Sequence, residues 1–214
     1  MKKNIYIFTL VALFILLSTR IGYAAPINLV ENSEFETPDV QGFGIVPTVP
    51  GWNTTQSMFE LWDEGFLSSP IIGSDGLPTG QHMELDSGTL PTITQSFIIP
   101  DLSNTLATFS FDAWLRSVGI SEYSVSGSAS GVLVPLTSIQ MDAVSWTNNI
   151  DTFQVLEGET ITVSFVQGTT GGDTGAHIDQ VIFSVNAIPE PSPIGLMFLP
   201  LLAMFVQRPQ FNNS

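Results

Sequence analysis

The chain has 214 residues, no cysteine, and 20 acidic residues against five basic ones, for a net charge of -15. Without cysteine there is neither a disulfide framework nor thiolate chemistry, and without a basic footprint a nucleic-acid partner is excluded. With 43% hydrophobic residues, 15 Phe and 4 Trp the chain can nevertheless bury a core, so it is not an acidic disordered polymer.

Residues 1–24 read as a secretory signal peptide cut by signal peptidase. Lys2 and Lys3 supply the positive start, Ile5–Leu17 an apolar run, and Gly22-Tyr23-Ala24 the small-residue cleavage site. A retained anchor is the alternative, but that run falls short of the roughly 20 residues a membrane-spanning helix needs.

Residues 25–187 form one domain in which the periodicity is two. Phe109, Phe111, Ala113 and Leu115 alternate with Ser110, Asp112 and Trp114. Ile161, Val163 and Phe165 alternate with Thr162 and Ser164, and Val181, Phe183 and Val185 with Ile182 and Ser184. Each is a strand with one face on a core. Further strands are expected at 29–35, 58–62, 81–86, 93–99, 121–126, 131–134, 138–145 and 152–156, with Gly, Pro, Ser, Thr and Asn between them. About ten short strands without a convincing helix predict an all-β, two-sheet antiparallel sandwich.

Residues 188–214 read as a sorting tail, the alternative being a buried helix or an apolar end of the domain. Pro189-Glu190-Pro191 precedes the apolar stretch Ile194–Val206, and Arg208 follows it. The order of motif, short hydrophobic segment and basic stop resembles the PEP-CTERM sorting signal of Gram-negative bacteria that make exopolysaccharide, with the usual arginine cluster reduced to Arg208. The resemblance implies transient membrane insertion of this segment, processing by an exosortase, and delivery to the cell surface or extracellular matrix.

Within the domain, Asn28-Leu29-Val30-Glu31-Asn32-Ser33-Glu34-Phe35-Glu36, Gly51-Trp52, Gly80-Gln81-His82-Met83-Glu84-Leu85-Asp86, Gln95-Ser96-Phe97, Ser110-Phe111-Asp112 and Ile178-Asp179-Gln180-Val181 follow one another. Their order resembles galactose-binding-like jelly rolls, found in carbohydrate-binding modules and DUF642-like domains. Ser33 stands where Gly is usual and Gln180 where Asn is common. That resemblance implies a jelly-roll sandwich and a structural calcium ion between the first and last strands, held by Glu36 and Asp179 with carbonyls of the 31–36 region.

Three groups of residues are candidates for chemistry. Parity places Asp179 beside Val181, Phe183 and Val185, facing the core. An inward carboxylate there needs hydrogen bonds or a hard cation, because Arg116 is the one basic residue of the domain. Capping of backbone N–H groups and calcium binding both answer that need. His82, Glu84 and Asp86 share one strand face; the strand pairing that the resemblance implies brings Glu60, Asp63 and Arg116 near them, and Trp52, Trp62 and Trp114 are candidate stacking surfaces for a sugar. Tryptophans in a small sandwich also serve simply as packing. No Gly-x-Ser-x-Gly or His-Glu-x-x-His motif is present, and acidic pairs are too common in this chain for type alone to select a catalytic one.

The expected protein is thus not an enzyme. It is an exported surface or matrix protein with a glycan-binding module, its partners being the processing enzymes and exopolysaccharide. A purely structural or adhesive protein is the first alternative and a secreted carbohydrate-active enzyme the second.

Overall fold

The computed structural model describes residues 26–68, 80–85, 91–100, 105–116, 120–167 and 175–185. The signal peptide, Asp86, and Pro189, Glu190, Pro191 and Arg208 of the tail lie outside these residues, so the sorting features carry no structural description.

The alternating segments become strands: β1 (Ile27–Asn28), β2 (Phe43–Val46), β3 (Asn53–Thr54), β4 (Phe59–Asp63), β5 (Gln81–Glu84), β6 (Thr92–Ile98), β7 (Thr105–Leu115), β8 (Ser121–Gly127), β9 (Gly131–Ser138), β10 (Thr147–Val155), β11 (Thr160–Gln167) and β12 (Ala176–Val185). One 3-10 turn, Phe66–Ser68, completes the described elements. No helix among the described residues is long and apolar enough to cross a membrane.

One sheet has the order β10-β7-β12-β5-β4-β2, with β1 also paired to β12, and the other has β3-β6-β11-β8-β9. Every pair of neighbouring strands is antiparallel. Strands β5 to β12 set the topology: β5-β12-β7-β10 lie in the first sheet and β6-β11-β8-β9 in the second. This is the double Greek key of a jelly roll, as expected. Phe109, Phe111 and Phe183 of the first sheet and Val125, Ile161, Val163 and Phe165 of the second are all buried. Phe111 meets Phe165 edge-on at 4.9 Å and Tyr123 at 4.9 Å. Burial of each such ring contributes about 2–3 kcal/mol, so this layer holds the sheets together.

The predicted strand at 29–35 is a correction. Only Ile27–Asn28 pairs with β12, and residues 31–34 form a turn. Polar side chains divert the backbone from the ladder. Asn28 Oδ1 accepts from Val30 N at 3.1 Å and Phe183 N at 3.0 Å, while the Asn32 amide bonds both the N–H and the carbonyl of Thr37.

Two glutamines then hold this irregular segment against the sheets. The Gln95 amide exchanges hydrogen bonds of 2.7 and 3.0 Å with the Glu31 backbone, and Gln81 accepts from Val40 N while donating to Phe35 and Pro38 carbonyls. Pro50-Gly51 makes the turn before Trp52. Gly51 has φ 79, Trp52 N donates to Val49 O at 3.0 Å, and a side chain at Gly51 would meet Glu31 and Gln95.

The strand expected at 138–145 is likewise absent. β9 runs on to Ser138, residues 139–146 form a loop, and β10 begins at Thr147. Asn149 closes that loop: its side chain accepts from Gln140 N and donates to the Gln140 and Thr147 carbonyls. The short strands β2 and β3 were not foreseen, being four and two residues long.

Candidate functional site

The outer face of the first sheet, turned away from the sandwich core, gathers most of the domain's unusual side chains. Register places Trp62 opposite His82, Glu60 opposite Glu84, Glu84 opposite His177, and His177 opposite Trp114. Because side chains alternate along each strand, these six share one face, while Leu61, Met83, Ile178 and Ala113 fill the core face beneath. Both faces of β5 are buried, so His82 and His177 are 0% exposed and Glu84 is 1% exposed.

The rings form a tight group. His82 and His177 lie 4.9 Å apart, Trp114 is 4.7 Å from His177, and Trp62 stands edge-on to His177 at 5.3 Å. Trp146, on the loop before β10, packs edge-on to His82 at 5.4 Å. That loop is tied to β7 by the bonds Leu115 N to Asp142 O, 3.1 Å, and Trp114 Nε1 to Ala143 O, 3.3 Å.

The charges are equally concentrated. Glu84 Oε1 lies 3.5 Å from Arg116 Nη2, 3.5 Å from His177 Nε2 and 3.3 Å from Gly175 N. The Arg116 guanidinium sits over the Trp62 ring at 4.6 Å, and Trp62 Nε1 donates to Glu60 Oε1 at 2.9 Å.

Burial dominates the protonation of this group. It pushes the Glu84 carboxyl up to about 8, and the Glu60 carboxylate alongside pushes the same way, against the smaller pull of Arg116. Burial takes His82 down to about 3. It also takes His177 well below the usual imidazole range, with His82 and Arg116 adding to the effect. At neutral pH both imidazoles are uncharged and Glu84 holds its proton.

Of the predicted glycan-contact residues, the fold brings Trp62, His82, Glu84, Trp114 and Arg116 together. Trp52 stands apart in the core, 5.2 Å from Phe35 and 6.1 Å from Phe165, and at 5% exposed it is no more closely packed than Trp62 and Trp114, each 3% exposed. His177 and Trp146 belong to the cluster but were not placed there from sequence. His177 occupies a regular register position, whereas Trp146 arrives through a loop that periodicity does not see.

Asp179 corrects the parity argument. Gln180 has φ 49, and the register with β7 shifts between Asp179 and Ile182. This bulge reverses the alternation, so Asp179 pairs with Asp112 on the outer face while Val181, Phe183 and Val185 face the core.

The oxygens expected to surround calcium are already engaged. Glu36 Oε1 accepts from Gln81 N and Asp179 Oδ1 from Gln180 N, each at 2.7 Å. The carbonyls of Glu31, Asn32, Ser33 and Phe35 also accept N–H donors. As arranged, each of these oxygens accepts an N–H group, and the described residues contain no group of three or more His, Asp or Glu placed to hold a metal ion.

Comparison with known proteins bears on the fold. No protein-family model and no curated protein sequence matches the chain. A cyclase from Fischerella sp. TAU is similar in structure, with TM-score 0.55 and 11% identity over 78% of this chain and 100% of the other. A Stig cyclase from Fischerella sp. TAU, in complex with an indole compound, gives TM-score 0.54 and 11% identity over 76% and 100%. A family 35 carbohydrate-binding module from Clostridium thermocellum gives TM-score 0.41 and 9% identity over 69% and 99%. The likeness is one of fold alone.

Proposed function

We propose that the chain is an exported cell-surface or matrix protein whose jelly roll binds glycan through the outer face of its larger sheet. The observation that carries this reading is the convergence of Trp62, Trp114 and Trp146 with His82, His177, Glu60, Glu84 and Arg116 on one face. Aromatic rings offer apolar faces to a pyranose, and the polar groups among them offer hydrogen bonds to its hydroxyls. Export rests on the signal at residues 1–24, and sorting by an exosortase on Pro189-Glu190-Pro191 and the segment after it.

Binding is favoured over catalysis because the Glu84 oxygen nearest the other polar groups is already held by Gly175, Arg116 and His177. An acid that donates its proton to a substrate needs that oxygen accessible. The deciding experiment is a glycan array probed with the full chain, repeated with Trp62→Ala and Trp114→Ala after confirming the fold by circular dichroism. Retention of glycans by the parent and at least tenfold weaker retention by the variants is expected. Equal retention by all three would sink the outer-face site, and release of reducing sugar from a bound glycan would replace binding with hydrolysis.

A further inference from the structure

His82 is 0% exposed, yet neither of its ring nitrogens has a hydrogen-bond partner, and the Nε1 of Trp146 beside it is also buried and unpartnered. A neutral imidazole presents one donor and one acceptor, and leaving both unmet in a dry site is destabilising. The His177 nitrogens likewise make no hydrogen bond, Nε2 having only the 3.5 Å contact with Glu84. Buried groups of this kind, on rings whose centroids lie 4.9 Å (His82–His177) and 5.4 Å (His82–Trp146) apart, are what a ligand with hydroxyls would satisfy, since each hydroxyl donates and accepts at once.

Trp146 sits on the part of the fold best able to admit such a ligand. The loop holding it is clamped at both ends by Asn149, while its tip residue Val144 is 86% exposed. The charges of the face select among sugars. Glu60, Glu84, Asp112 and Asp179 all lie on it, and the one cation there, Arg116, is already engaged by Glu84 and stacked on Trp62. A sugar carboxylate would meet the acidic side chains of Glu60, Asp112 and Asp179 against one guanidinium, itself stacked on Trp62.

We propose that the face takes an uncharged, hydroxyl-rich sugar beneath Trp146 and excludes acidic glycans. The proposal rests on the glycan-binding reading above and adds the class of sugar and the residue that closes over it. His82, His177 and the Trp146 N–H bond the hydroxyls, Trp114 packs on the ring, and the Ala143–Trp146 stretch moves aside to admit it, giving up the bond from Trp114 Nε1 to Ala143 O while Asp142 O keeps its bond from Leu115 N.

Affinity electrophoresis of the full chain tests this in gels cast with neutral polysaccharides (galactomannan, xyloglucan, laminarin) and with polygalacturonate or alginate. Retardation in at least one neutral gel and in neither acidic gel is expected. Trp146→Ala should weaken that retardation at least tenfold, and Trp146→Phe, which keeps the ring but loses the N–H, two- to fivefold. Retardation in the acidic gels alone leaves glycan binding standing and overturns the choice of sugar. Full affinity in both Trp146 variants overturns the role of the loop. No retardation in any gel overturns the glycan-binding reading together with this one. Should Trp146→Ala lose its sheet signal in circular dichroism, the Trp146→Phe measurement decides alone.

Discussion

Three buried side chains of the site give stability an optimum in pH. The unfolded chain releases the Glu84 proton near its ordinary value of 4.5, whereas the folded chain keeps it to about 8. The stabilisation from that group is therefore complete below pH 4.5 and is lost as the pH rises toward 8. His82 and His177 act in the opposite sense. The unfolded imidazoles protonate below about 6.5 while the folded ones resist, so their stabilisation is complete above that value and is lost as the pH falls. The melting temperature should accordingly peak near pH 6.5. Glu84→Gln, which keeps an acceptor for Gly175 N, should abolish the decline between pH 6.5 and 8, and a variant that declines as steeply as the parent would contradict the assignment. A second carboxylate is purely structural. Burial pushes Glu159 up, but bonds from Leu156 N, Ser130 N, Ser130 Oγ and Ala129 N outweigh it and hold the carboxyl below its usual value. A methyl at Gly127 would run into the same carboxylate. Glu159→Gln should cost about 2 kcal/mol, or roughly 5 °C in melting temperature, with the loss greatest above pH 5; a change under 1 °C at pH 6.5 would count against this role. Part of the site was readable from the sequence: His82 and Glu84 share a face by strand parity, Arg116 was expected near them from the strand pairing that the jelly-roll resemblance implies, and Trp62 and Trp114 were candidates by residue type. Trp52 looked equivalent by type, and only its place in the core separates it from the others.

At the scale of elements, the alternating segments were legible and the irregular ones were not. β6, β7, β8 and β11 follow from period two because each buries one face continuously. Three failures have one cause, side chains or turns that interrupt a ladder: Asn28 and Asn32 in 27–37, the Asn149-clamped loop at 139–146, and the β12 bulge. The bulge has the largest consequence, since one left-handed residue moves Asp179 from the expected inner face to the outer one. It also frees Val181 N to bond Ser33 O at 2.9 Å, joining the irregular first segment to the last strand. At φ 49 a side chain with a branched Cβ is strained, while Asn and Gly are tolerated. Gln180→Val should therefore lower stability by about 1–2 kcal/mol, and Gln180→Asn or Gln180→Gly should leave it unchanged or slightly raised. Thermal melts of the three variants check the ordering, and equal losses in all three would mean that the side chain of Gln180 matters rather than its backbone.

For the whole molecule, the decisive quantity is charge. Residues 25–187 hold 19 carboxylates and one arginine, a net charge of -18 against the -15 of the full chain. Such a domain repels itself, and the repulsion is long-ranged at low salt because the Debye length is about 30 Å at 0.01 M and 10 Å at 0.1 M. Two mechanisms of cation stabilisation then compete. Diffuse screening depends on ionic strength, whereas a calcium ion bound by Asp179 and Glu36 depends on those oxygens being free to coordinate it. Both carboxylates already accept backbone N–H groups, which favours screening. Raising NaCl from 10 to about 300 mM should increase the melting temperature by several degrees. Calcium chloride at matched ionic strength should give the same increase, in the parent and in Asp179→Asn alike. A further rise specific to calcium, reversed by chelator and lost in Asp179→Asn, would instead place a bound ion between the first and last strands and require the Gln180 N–H bond to yield to it.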